Sequence, residues 1–102
     1  MWGVDPKKMC TKHLLGEHVE LHMMLGSLKK GKSLKGHIEK GQVEVHNIRK
    51  RHGQLVKEML ARGFRHSSPL PKDVRLFRAG RLKIIENEKE LARRCKDCRF
   101  GK

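Results

Sequence analysis

Between His13 and Lys30 the chain reads HLLGEHVELHMMLGSLKK, with leucines at 14, 21, 25 and 28. Their steps of seven, four and three return to one side of a helix of 3.6 residues per turn. Leu15, Val19 and Met23 widen the stripe, so this segment is predicted to be a helix with one buried face. A second stripe, His13, Glu17, Glu20 and Met24, runs beside it. The formal charge of the chain is +14, so two carboxylates on one helix face call for a reason.

The same periodicity returns in Val45, Ile48, His52, Leu55 and Met59, which predicts a second helix over about 43–62. Gly63 suits the position just past its end, and Arg62 suits the negative end of the helix dipole. His52 falls on the apolar face and is expected as a hydrogen-bonded core histidine. Asn87 followed by Glu90 reads as an N-cap with a box-type partner, opening a short last helix to about Arg94. The glycine-punctuated connection from Gly26 to Gln42 is expected as a basic loop with one helical turn. Gly16 and Gly26 cost helix stability and are expected where backbones approach closely. Thr11 is expected as the N-cap of the first helix, and Pro6 as a stop to any earlier one. DVRLFRAGRLKII fits an extended or a helical segment equally.

The expectation is an all-α, compact single domain of about three helices, residues 1–102, with an irregular N-terminal segment and basic loops. At 102 residues there is room for one modest core, and with 4% aromatic residues it must be built of Leu, Val, Ile and Met. No stretch approaches the roughly 18 apolar residues of a membrane span, and none resembles a signal peptide. Three cysteines, an odd number, fit a reducing compartment better than a secreted disulfide framework, so the cytoplasm is expected.

Twenty-five Lys and Arg against 11 Asp and Glu favour a polyanionic partner, because each neutralised phosphate releases counterions. The clusters at 29–35, 49–51 and 93–102 mark the expected footprint. His18 and His22 stand at i, i+4, but H-V-E-L-H places its glutamate one position late for a zinc protease. Cys95-Lys96-Asp97-Cys98 is a C-x-x-C that needs two further ligands to hold zinc. Cys10, His13 or His66 are available for that, and nothing in the sequence fixes their proximity. No metal site or cofactor is assigned; Cys95 and Cys98 are the weak candidates.

Two stretches resemble the small phage-type pyrimidine-dimer DNA glycosylases with abasic-site lyase activity. His13-Leu14-Leu15-Gly16-Glu17-His18-Val19-Glu20-Leu21 is similar to the family's H-L-x-A-E-Y-R-E-L. Ile48-Arg49-Lys50-Arg51, with Leu55, Glu58, Leu60 and Arg62-Gly63-Phe64, resembles L-R-K-R-x-x-x-L-x-x-E-x-L-x-R-G-F without a gap. The resemblance implies an all-helical enzyme that flips a base, attacks the sugar with its N-terminal α-amine and cleaves the strand by β-elimination through an imine. By it, Glu20 is the catalytic glutamate, and His13 and Glu17 lie near the same site. Trp2 is too bulky for ordinary removal of Met1, so the amine is expected to be that of Met1, the alternatives being a different true start or loss of the lyase activity. The chemistry is sound: an α-amine titrates at about 7.7–8.0 against about 10.4 for lysine, so far more of it is free base at neutral pH.

The expected catalytic pair is Met1 and Glu20. DNA contacts are assigned to Trp2, Lys12, His13, Glu17, Arg49, Arg51, Arg93, Arg94, Arg99 and Lys102. The expected partner is double-stranded DNA carrying a damaged or abasic site, bound by a monomer. Where the phage enzymes flank the glutamate with arginines, this chain has Val19 and Met23. Their aromatic C-terminal loop is here CKDCRFGK, with Phe100 alone.

Overall fold

The computed structural model describes residues 1–66 and 69–98, and among these every regular element is helical. α1 spans Thr11–Lys29, α2 Lys35–Glu39, α3 Ile48–Ala61 and α4 Ile84–Arg94, with 3₁₀ turns at Pro6–Lys8 and Val45–Asn47. The all-α expectation holds. Three longer helices carry the core, and α2 is the helical turn inside the basic connection. None of the described helices is long and apolar enough to cross a membrane.

α1 buries Leu14, Leu21 and Leu25 completely, and it packs on α3, whose Ile48, Leu55 and Met59 face the same core. Each such leucine or isoleucine contributes on the order of 1.5–3 kcal/mol by leaving water. The N-terminal segment adds Met1, Val4 and Met9, and α4 adds Leu91. α1 gives way to Lys30 and Gly31, and α3 to Arg62 and Gly63, both glycines at positive φ as a helix stop requires.

Several local expectations are corrected. Val43 and Glu44 do not join α3. Glu44 is extended, and the Val45 N–H donates to the Ala79 carbonyl at 2.9 Å. α1 begins at Thr11 itself, with Cys10 as the capping residue and no side-chain cap. Pro6 opens a 3₁₀ turn capped by Asp5 instead of only blocking a helix. Asn87 is not an N-cap: α4 has begun three residues earlier, and its amide donates to the Trp2 carbonyl at 2.7 Å. A Cβ at Gly16 or Gly26 would meet nothing within 4 Å, so neither marks a close backbone approach. The 73–85 stretch, which by sequence fits an extended or a helical segment equally, divides: 74–83 crosses the core without regular structure and buries Val74 and Leu82, and Ile84 opens α4.

That crossing depends on Gly80. Its φ is +88°, and an added Cβ would sit 2.0 Å from the Val43 carbonyl oxygen. The substitution Gly80→Ala should therefore destabilise the protein by more than about 1 kcal/mol, read as a lower urea midpoint with an unchanged slope. An unchanged midpoint would contradict the packing of this segment.

Candidate active site

The N-terminal segment is tied down by side chains from two helices. On α3, Arg51 is almost fully buried and donates from Nη1 to the Val4 carbonyl at 2.7 Å. Arg62, at the end of α3, donates from Nη2 to the Met9 carbonyl at 2.6 Å and to the Pro6 carbonyl at 3.1 Å. On α4, Asn87 holds the Trp2 carbonyl. The Met1 side chain is itself part of the core. With its thioether anchored and its backbone held, the Met1 amine donates a hydrogen bond to Glu20 Oε1. The Met1 side chain is 2% exposed and that of Glu20 43%, so an inward anchor meets a carboxylate open to solvent.

The opening is a cleft of about 390 Å³ lined by Met1, Trp2, Glu20, His37, Lys40, Gln42, Asn87, Glu90 and Arg94. One wall comes from α2 and the turn after it, the other from α4. His37 and Gln42 face each other across 3.1 Å. Glu90 pairs with Arg93 at 2.7 Å and Arg94 at 2.5 Å. Arg93, then Arg94, holds its carboxyl below the usual range against some opposing desolvation. His37, Lys40, Gln42, Asn87 and Glu90 were not singled out as cleft residues by sequence reasoning. Nothing in their spacing marks them, because residues 37–42 and 87–94 meet only in the folded chain.

The stripe on α1 does not act as one constellation. Glu17 is turned inward, 2% exposed, and its two oxygens accept from Arg51 Nε at 2.5 Å and Nη2 at 2.9 Å. Expected on the DNA surface, Glu17 and Arg51 are instead a buried ion pair under the N-terminal segment. Met24, on the same stripe, is buried as well. His13 faces cysteines: its Nδ1 is 3.1 Å from Cys10 Sγ and 3.6 Å from Cys98 Sγ. Its ring meets that of Trp2 edge to face at 6.3 Å. Arg49 is also tethered, donating to the Val74 carbonyl at 2.9 Å. Lys12, Arg93 and Arg94 are exposed, whereas Arg99 and Lys102 lie outside the described residues. Val19 and Met23, expected to widen the buried stripe of α1, are instead exposed at 56% and 68%, so the buried face is narrower than the periodicity suggests.

The expected C-x-x-C pair has neighbours. Cys10, His13, Cys95 and Cys98 offer four ligand atoms that all lie within 4.8 Å of one another. A sequence signal for this existed, since Cys10 and His13 form a C-x-x-H that mirrors the C-x-x-C. A second group, His18, His22, His52 and His66, meets the same distance limit. His52, expected as an ordinary core histidine, stacks on His18 with ring centroids 4.9 Å apart. Burial, followed by the nearby His22 and His66, lowers the His18 pKa and favours its neutral form.

No curated protein and no solved structure matches the chain. The family model for pyrimidine dimer DNA glycosylase matches residues 1–72, which carry α1, α3, the Met1–Glu20 contact and the Glu17–Arg51 pair. With more than two thirds of its length matched, the chain belongs to the pyrimidine dimer DNA glycosylase family.

Proposed function

We propose that this protein is a DNA repair glycosylase with abasic-site lyase activity, a single-domain monomer of the cytoplasm working on double-stranded DNA that carries a damaged or abasic site. The observation that carries this reading is the Met1 amine hydrogen-bonded to Glu20 at the mouth of a cleft with Lys40 and Arg94 on its walls. The free amine attacks C1′, its lone pair forming the new N–C1′ bond. On a damaged nucleotide the bond from C1′ to the base breaks, and its electron pair leaves with the base, which takes up a proton. Glu20 stabilises the positive charge developing on the sugar and accepts the proton that the attacking nitrogen sheds. The same carboxylic acid returns a proton to O4′ as the sugar ring opens to the imine. Loss of a C2′ proton then expels the 3′ phosphate, and water hydrolyses the imine to free the amine.

Lys40 and Arg94 supply phosphate contacts at the cleft, and Lys12 and Arg93 extend the basic surface. Trp2 supplies the aromatic face against which a nucleotide can stack. Glu17 and Arg51 act indirectly, by fixing Val4 and through it the amine.

Borohydride reduction in the presence of abasic duplex should trap a covalent protein–DNA adduct, and mass spectrometry should locate it on the Met1 nitrogen. Acetylating that amine should abolish the adduct while DNA binding persists. A native, unblocked protein that binds abasic duplex yet gives no adduct would leave a non-catalytic binding protein as the remaining reading.

A further inference from the structure

The three cysteines, His13 and the group His18, His22, His52 and His66 play no part in the chemistry above. We propose that Cys10, His13, Cys95 and Cys98 form a structural zinc site joining the start of α1 to the end of α4. Cys10 is the capping residue of α1, with His13 one turn along it, and Cys95 caps the C-terminus of α4. Zinc binds thiolate sulfur at about 2.3 Å and imidazole nitrogen at about 2.0–2.1 Å. A tetrahedron of those bond lengths has S–S edges of about 3.8 Å and S–N edges of about 3.5 Å. Here Cys10 Sγ and Cys95 Sγ are 3.8 Å apart, and His13 Nδ1 stands 3.1 and 3.6 Å from the sulfurs of Cys10 and Cys98. The spacing is that of ligands around an ion, far beyond the roughly 2.05 Å of a disulfide.

The surroundings fit as well. Cys98 is fully buried, and its sulfur accepts the Cys10 backbone N–H at 3.2 Å, as a ligating thiolate requires. Three sulfurs and one nitrogen make a closed set with no position left for substrate, so the ion serves structure and not catalysis. On binding, the three thiols release their protons and form S–Zn bonds while neutral His13 gives its Nδ1 lone pair. The family match ends at residue 72, so Cys95 and Cys98 lie beyond it. What the ion would hold is the cleft: α4 brings Asn87 to Trp2, and Trp2 rests on His13.

The geometry points independently to a second transition-metal site at His18, His22, His52 and His66. The ligand nitrogens of these residues lie within 4.8 Å of one another, and the buried Nε2 atoms of His18 and His66 have no hydrogen-bond partner. Four converging imidazoles suit zinc, nickel or copper.

The test is metal analysis of the full-length, reduced protein purified with zinc supplied, together with cobalt(II) spectra after exchange. Two equivalents of metal are expected, with near-ultraviolet thiolate-to-cobalt charge transfer. The double variant C95S/C98S should lose that band and one equivalent, and H18A/H66A should lose the other. Chelation should lower Tm by more than about 10 °C. Should a variant fail to fold, the wild-type spectrum still decides. One equivalent with the thiolate band would overturn the histidine site, and one without it would overturn the cysteine site. Less than about a tenth of an equivalent would overturn both.

Discussion

Glu20→Gln should lower strand cleavage at an abasic site by roughly 10²–10⁴-fold, the range a positioned general acid–base group supplies. Glutamine keeps the size of the side chain and can still accept a hydrogen bond from the Met1 amine. It cannot take the proton that the nitrogen must lose, nor carry the charge that faces the sugar. The Glu20 side chain is nearly half exposed, so the fold should tolerate the change, with an effect on stability within about 1 kcal/mol. Single-turnover cleavage of an abasic duplex, alongside thermal unfolding, separates the two effects. Cleavage within threefold of wild type would rule out the role given to this carboxylate.

Arg51→Met should cost stability on an equally large scale, about 3–5 kcal/mol. The substitution strands the Glu17 carboxylate in the interior and leaves the Val4 carbonyl without the donor that held it at 2.7 Å. For a domain near 100 residues, that loss corresponds to a fall in Tm of roughly 15–30 °C. The double variant Glu17→Met/Arg51→Met removes both charges and should recover most of the loss, because burying ions is itself costly. Recovery of stability without recovery of cleavage is the expected pattern, since the Val4 tether is still missing. A single variant within about 1 kcal/mol of wild type would contradict a buried pair.

What the sequence disclosed and what it hid divide along a physical line. Leu14, Leu21 and Leu25 were legible because helical periodicity is local, and the stop at Arg62–Gly63 because a left-handed glycine is a local device. Glu20 was picked out through resemblance, and its contact with the amine is present in the fold. Glu17 looked equally exposed, since periodicity gives a side chain's bearing around its helix and not the guanidinium waiting from another helix. Asn87 was misassigned for a related reason. An asparagine before a glutamate is a helix-start signal only if its amide is not needed elsewhere, and here Trp2 claims it. Cys10 and Cys95 lie 85 residues apart, so the closeness of their sulfurs is a property of the folded chain alone.

On the mechanism proposed above, the tethering of residues 2, 4, 6 and 9 also sets the local supply of nucleophile. An amine at the end of a loose tail of similar length would sample its surroundings at millimolar effective concentration. Groups locked in a reactive geometry reach effective molarities of about 10⁵–10⁸ M. Arg51, Arg62 and Asn87 spend folding energy once, before any DNA arrives, to move the Met1 nitrogen from the first regime toward the second. A chain terminus, ordinarily among the most mobile parts of a protein, is here held at four backbone carbonyls.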